Sequence, residues 1–197
     1  MTILLNANVE SDLAQAVQLL RGGKLVAVPT ETVYGLAADA RQPEAVRAIF
    51  TAKQRPDHHP LIVHLGDAAQ LEDWALSIPA SAWELARQFW PGPLTLVLEK
   101  RHSVHGVITG GRNTIALRMP AHPALLNLLR YGDLCLAAPS ANPHKQLSPT
   151  SAAQVMETMS GKLAAVINRR VVRCCRQTDA CKPHLMAILM DRLAGVP

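Results

Sequence analysis

Four consecutive apolar residues, Leu25 to Val28, end abruptly at Pro29 and the polar run Thr30-Glu31-Thr32. A short apolar stretch rich in β-branched residues reads as a buried strand. Pro29 has no N–H to give to a sheet ladder, so the strand is predicted to stop there. Tyr34-Gly35 follow, and Gly35 permits a backbone turn or a close approach closed to other residues. Open α/β sheets place ligand sites just beyond the ends of buried strands, so polar groups here are candidates for chemistry.

The same alternation continues along the chain. Upstream, Ser11 is placed to cap a helix running to about Arg21, with Leu13, Val17 and Leu20 on one face and Gly22-Gly23 closing it. Downstream, Pro43 suits the first turn of a helix through Lys53, with Ala45, Ile49 and Ala52 inward. A polar loop over 54–60, QRPDHHP, leads to a strand over 61–65. Helical patterns occupy roughly 67–75 and 81–90, broken by Pro91-Gly92-Pro93. A strand over 94–98 precedes a glycine-bearing segment, 100–113, that reads as a mobile loop. Thr114 to Arg118 is a strand, Pro123 to about Tyr131 a helix, and Leu134 to Ala138 a further strand running into Pro139-Ser140-Ala141-Asn142-Pro143. Thr150 is a candidate cap for a helix near 151–159, and Ala164 to Ile167 a last strand. Strands and helices alternate without internal repeat, which predicts a single α/β domain.

Composition narrows the class. A chain of 197 residues with 49% hydrophobic and 18% charged residues suits one soluble globular domain with a substantial core. No uncharged apolar run is long enough to cross a membrane and no signal peptide is recognisable, so a cytoplasmic location is expected. The net charge of +5 hints at nucleic acid until its distribution is considered. Residues 1–168 hold 14 Lys/Arg against 13 Asp/Glu, whereas residues 169–197 hold six against two. The basic character belongs mainly to the tail, and residues 1–168 lack the aromatic pattern of an RNA-stacking surface. Cys135 lies in an apolar run as a small core residue, while Cys174, Cys175 and Cys181 share the tail.

Polar clusters beside the predicted strand ends are Thr30/Thr32, Lys53/Arg55/His59, His64, Thr114/Arg118, Ser140/Asn142 and Ser148. Lys53 and Arg55 with nearby histidines could hold a polyphosphate, or form an ordinary solvated basic loop. Arg118 closes an apolar strand before proline, so burial would demand an anionic partner: a structural carboxylate or a substrate carboxylate. Phosphate-loop, dinucleotide, zinc-protease and nucleophile-elbow motifs are all missing.

In order, KLVAVPTETVYGLAADA, KQRPDHHPLIVHL, WPGPLTLVL, TIALRMP with HPALLNLL, and AAPSANPHKQLSPTSAAQV cover roughly residues 10–168. Together they resemble the YrdC-like domain of threonylcarbamoyl-AMP synthases, in the version found in the longer members. The resemblance implies a twisted, mostly parallel or mixed sheet flanked by helices, with a concave, positively lined cavity. It also implies a nucleotidyl-transfer reaction joining L-threonine, bicarbonate and ATP into threonylcarbamoyl-adenylate with release of pyrophosphate. A downstream threonylcarbamoyl transferase complex would then modify tRNA, so tRNA is an indirect partner. By resemblance Thr32, His64, Arg118 and Ala138 would surround threonine, with Arg118 on its carboxylate. Arg55, His59, Thr114, Ser140 and Ser148 would line ATP, Lys53 and Asn142 would lie close by, and Mg2+ would accompany the triphosphate. No side-chain nucleophile and no protein-held metal are implied. Other uses of the domain are carbamoyl transfer and RNA binding without turnover.

The chain departs from the family in three places. His59 stands where Asn or Lys is usual, and His144-Lys145 where a small residue is usual. After Asn168 the family continues with a Gly-Gly turn and a Ser-Thr-Ile-like strand that closes the threonine site, whereas this chain reads RRVVRCCRQTDACKPHLMAILMDRLAGVP. The expected organisation is therefore a catalytic domain over 1–168 and a divergent tail over 169–197. The tail is read as a frameshift product that would impair activity, as a natural divergent end, or as a metal site built from Cys174, Cys175, Cys181 and His184.

Overall fold

A computed structural model describes residues 1–168; the tail, with its frameshift and metal-site readings, lies outside the described residues. The strands are β1 (Ile3–Asn6), β2 (Val26–Pro29), β3 (Tyr34–Asp39), β4 (Ile62–His64), β5 (Leu96–Glu99), β6 (Thr114–Arg118), β7 (Leu136–Ala137) and β8 (Ala165–Asn168). The helices are α1 (Glu10–Arg21), α2 (Pro43–Lys53), α3 (Leu71–Trp74), α4 (Ala80–Phe89), α5 (Gly106–Thr109), α6 (Pro123–Tyr131) and α7 (Ala152–Met159).

The strands form one sheet in the order β1-β8-β2-β3-β7-β4-β6-β5. The pairs β1–β8, β8–β2 and β4–β6 are parallel and the other four antiparallel, so the sheet is mixed. Its two faces are covered unequally. On one face Val63, Ala137, Ile115 and Leu117 pack with apolar residues of α2, α3, α4, α5 and α7. On the other, Leu5, Val26, Val28, Ala37 and Leu136 pack beneath α1 and α6. Those two helices lie over β1, β8, β2 and the inner strands; β4, β6 and β5 contribute no residue to their cluster. In β6, buried Ile115 and Leu117 alternate with half-buried Thr114, Ala116 and Arg118. That period of two marks an open sheet face on this side.

Helices α2 and α6 keep the predicted bounds, as does β6. Leu13, Val17 and Leu20 are buried as expected, but α1 begins at Glu10 with Val9 as its N-cap, so Ser11 lies inside the helix. The Ser151 hydroxyl, rather than Thr150, caps α7 by accepting from the Gln154 backbone. Strand β1 was absent from the pattern reading: its single fully buried residue, Leu5, gives no legible period. Tyr34-Gly35 is not a turn but the start of β3, and the reversal occurs earlier, over Thr30–Val33. The segment over 100–113 contains α5 and buries Val104, Ile108 and Thr109.

Candidate functional site

Register places four of the predicted residues, His64, Thr114, Arg118 and Ala138, on the open face. Leu136 pairs with His64, and His64 with Arg118, so these three side chains share a face. Two residues earlier, Ile62 pairs with Ala116, and Ala138 follows Leu136 on the same side. Thr114, one further step along β6, completes a line with Ala116 and Arg118. Four residues at 3.3 Å each separate Thr114 from Arg118 by about 13 Å.

At one end of the line, Arg118 is held from two directions. Its Nε donates to the Gly92 carbonyl at 3.1 Å, and its Nη2 lies 3.0 Å from Glu31 Oε1. The Pro91-Gly92-Pro93 turn is itself tied to the end of β6 by the Gly92 N–H, which donates to Met119 O at 2.9 Å. Glu31 sits in the β2–β3 turn and reaches over the open face, where its Oε1 also accepts from the Ala121 N–H at 2.6 Å. Burial by itself would raise the Glu31 pKa, but the Arg118 charge and the backbone donors outweigh it and hold the carboxyl below its ordinary value. Thr30 uses its hydroxyl to donate to Val33 O at 2.6 Å, which shapes the turn, while Thr32 is exposed with no side-chain hydrogen bond among the described residues.

His64 is buried, and its Nδ1 has no partner among the described residues. Burial, with the adjacent Arg118 charge, pushes its pKa down to about 4 against the opposing pull of Glu31, so the ring is neutral at pH 7. Because the folded pKa lies below the unfolded value near 6.5, the unfolded chain takes the proton first as pH falls. The associated stability is complete above pH 6.5 and declines toward pH 4, by about 3 kcal/mol if the full shift is realised. His64→Gln should therefore flatten the fall in Tm between pH 6.5 and 4.5; equal slopes in variant and wild type would contradict this origin.

The other end gathers cations and hydroxyls. Arg55 Nε donates to His59 Nδ1 at 3.3 Å, and the His59 ring lies 4.5 Å from His58 and 6.2 Å from His144 between centroids. Ser140 bridges to Gly35, whose missing side chain makes room for Ala138: a Cβ there would stand 3.3 Å from Ala138 Cβ. Lys53 is buried at the end of α2, and its ammonium donates to the carbonyls of Ser140 and Asn142, while His144 N–H returns to Lys53 O at 2.8 Å. Burial first, and Arg55 second, lower the Lys53 pKa to about 8. Asn142 is likewise turned inward, its Nδ2 donating to Pro143 O and Gln146 O, and Ser148 Oγ approaches its Oδ1 at 3.5 Å. Lys53 and Asn142 thus hold the 140–148 loop in shape, with Arg55, His59, Thr114, Ser140 and Ser148 gathered at the same end.

Two participants were missed in the sequence. Glu31 had a signal, as the only acid in the polar run after β2, while Arg118 lacked an anionic partner. Gly92 acts through its carbonyl oxygen, which any residue would supply, so no side-chain pattern announces it. A cavity of about 890 Å³ beside α2 and β8, lined by Lys24, Arg47, Thr51 and Lys162 among others, contains none of the site residues.

Fold and site define a mixed α/β domain whose open sheet face carries a charge-paired end and a cationic end. The chain belongs to the Sua5/YciO/YrdC family, described as "Telomere recombination", whose model matches residues 18–179. It is 50% identical over 171 residues to the threonylcarbamoyl-AMP synthase of Pyrococcus abyssi, covering 85% of this chain and 50% of that one. Identity to the Bacillus subtilis enzyme of the same name is 46% over 160 residues, covering 81% of this chain and 46% of that one. The crystal structure of P. abyssi Sua5 complexed with L-threonine matches with a TM-score of 0.81 at 48% identity, covering 86% of this chain and 50% of that chain. The chain spans about half the length of these relatives. Among the described residues no helix is long and apolar enough to cross a membrane.

Proposed function

We propose that residues 1–168 are the catalytic domain of a threonylcarbamoyl-AMP synthase, which makes threonylcarbamoyl-adenylate from L-threonine, bicarbonate and ATP for tRNA modification. The observation that carries the reading is the two-ended open face. One end offers Arg118, whose Nη1 has no partner among the described residues and can meet a carboxylate, beside neutral His64 and exposed Thr32. The other, about 13 Å away along β6, offers Arg55, His59 and the hydroxyls of Thr114, Ser140 and Ser148. The relatives' names and the threonine bound to P. abyssi Sua5 point to the same substrates.

The chemistry suits such a face. Bicarbonate takes up a proton and loses water to give CO2, and the threonine amine attacks the CO2 carbon and releases a proton to solvent, giving a carbamate. A carbamate oxygen then attacks the α-phosphorus of ATP, and pyrophosphate leaves. Holding three substrates together supplies proximity, and the cationic end offsets charge on the leaving pyrophosphate. Arg118 fixes the carboxylate, and no side-chain nucleophile is needed. Mg2+ enters as the counter-ion that ATP brings, its ligands being phosphate oxygens and water. The product passes to a threonylcarbamoyl transferase acting on tRNA, in the cytoplasm.

Pyrophosphate release from ATP that requires both threonine and bicarbonate tests the proposal; release independent of threonine overturns it. Because the chain after Asn168 departs from the family pattern, binding of L-threonine and of ATP is to be measured beside turnover. ATP affinity should also depend on pH. Partial burial and the charges of Arg55, His58, His144 and Arg112 hold the His59 pKa below its ordinary value, so this end by itself disfavours a charged His59 ring. A triphosphate reverses that field, so ATP binding should take up protons and strengthen as pH falls from 8 toward 5.5. His59→Asn should flatten the profile, and a flat wild-type profile would contradict this role.

A further inference from the structure

We propose that Glu31 is the ammonium-binding residue of the amino-acid end, selecting a zwitterion over a simple hydroxy acid. The idea rests on the amino-acid reading of the Arg118 end and adds a residue to it. Glu31 is fixed rather than mobile in its pairing: one oxygen, Oε1, takes both the Arg118 contact at 3.0 Å and the Ala121 N–H at 2.6 Å. Its other oxygen, Oε2, accepts nothing from another residue among the described ones. The side chain remains 25% exposed, so a ligand can reach it.

Charge balance carries the argument further. Arg118 and Glu31 cancel, and His64 beside them is buried and neutral, so this end of the face has no net charge. A zwitterionic amino acid has none either. Its carboxylate takes the free donors of Arg118, and its ammonium, two bonds from that carboxylate's carbon, falls beside Glu31. A lone arginine would attract any carboxylate and would compete with the cationic end for the triphosphate. The Glu31 charge removes that ambiguity: the polyanion is drawn to the Arg55–His59 end and the zwitterion to the Arg118 end. Once the ammonium gives up a proton to solvent water to become the attacking amine, the Glu31 carboxylate still accepts a hydrogen bond from that nitrogen.

The test compares L-threonine with 3-hydroxybutanoate, which lacks only the amine, by calorimetric titration of the whole chain. Wild type should prefer threonine by about tenfold or more, the equivalent of one charge-assisted contact of about 1.4 kcal/mol. Glu31→Gln keeps an oxygen for the Ala121 N–H, and its fold is checked by Tm. It should lose about tenfold in threonine affinity while holding or gaining affinity for 3-hydroxybutanoate, so that the preference collapses. Parallel loss of both ligands would mean that Glu31 only props Arg118, and tighter threonine binding would mean that it competes for Arg118; either overturns the proposal. Equal wild-type affinities for the two ligands overturn it without any variant. Absence of both from wild type overturns the amino-acid reading itself, a result distinct from the other three.

Discussion

Arg118→Ala is expected to weaken L-threonine binding by about 100-fold or more while leaving ATP affinity within a fewfold of wild type. The loss follows from the loss of a fork of charge-assisted hydrogen bonds in a partly dry site, worth about 3 kcal/mol. The guanidinium is oriented before any ligand arrives, by Gly92 O on Nε and by Glu31 on Nη2. Lysine cannot reproduce this, because a single ammonium would have to serve Gly92, Glu31 and the ligand at once. Arg118→Lys should therefore recover only a minor part of the affinity. Removing the arginine also strips Glu31 of the main charge that lowers its pKa, so the alanine variant should lose stability that Arg118→Ala/Glu31→Gln partly regains. Titration calorimetry with each ligand and thermal melts of the four proteins measure both effects. Unchanged threonine affinity in Arg118→Ala would sink the assignment of this end.

The second large effect concerns the loop that carries Arg55 and His59. Gly110 has φ +60, and a Cβ there would collide with the His58 carbonyl, standing 2.8 Å from its carbon. The obstacle is backbone, so it cannot swing aside as a side chain would, and Leu61 N–H is bonded to Ile108 O at 2.8 Å just beside it. Gly110→Ala must therefore strain α5 or push the 57–60 loop outward. We expect a loss of roughly 2–3 kcal/mol, a Tm lowered by about 5–10 °C, and weaker ATP binding with threonine binding nearly intact. Gly111, with φ +80 and nothing within 4 Å of its would-be Cβ, is the internal control. Gly111→Ala should cost only the backbone strain, about 1 kcal/mol. Equal effects at the two positions would show that conformation alone, and not the contact with His58, sets the cost.

Sequence patterns were most reliable where local rules and burial agreed. Pro43 at the first turn of α2, and Ala45, Ile49 and Ala52 along it, gave that helix its bounds, and buried Ile115 and Leu117 gave β6 its own. They failed where tertiary pairing overrode local character. Of the two readings that Gly35 allowed, the turn fails and the close approach holds: it lies in β3, where a glycine lets Ala138 and Thr30 pack against the strand. Strand β1 is stabilised by pairing with β8, from the far end of the domain, which no window around residue 3 can reveal. Lys53 stands beside Arg55 in the sequence, but only packing shows that its ammonium also ties α2 to the carbonyls of Ser140 and Asn142.

The sequence by itself determined an alternating α/β domain, the family to which it belongs and the residue types assembled at its site. It also posed the right question about Arg118, that an arginine closing an apolar strand needs an anion. Only the tertiary structure supplied the answer. Glu31 lies 87 residues earlier in the chain. It reaches Arg118 because the β2–β3 turn folds over an open face that register, not local sequence, assigns to β4 and β6. Charge pairing across such a distance is a property of packing, and so is the balance that makes one end of the site neutral and the other cationic.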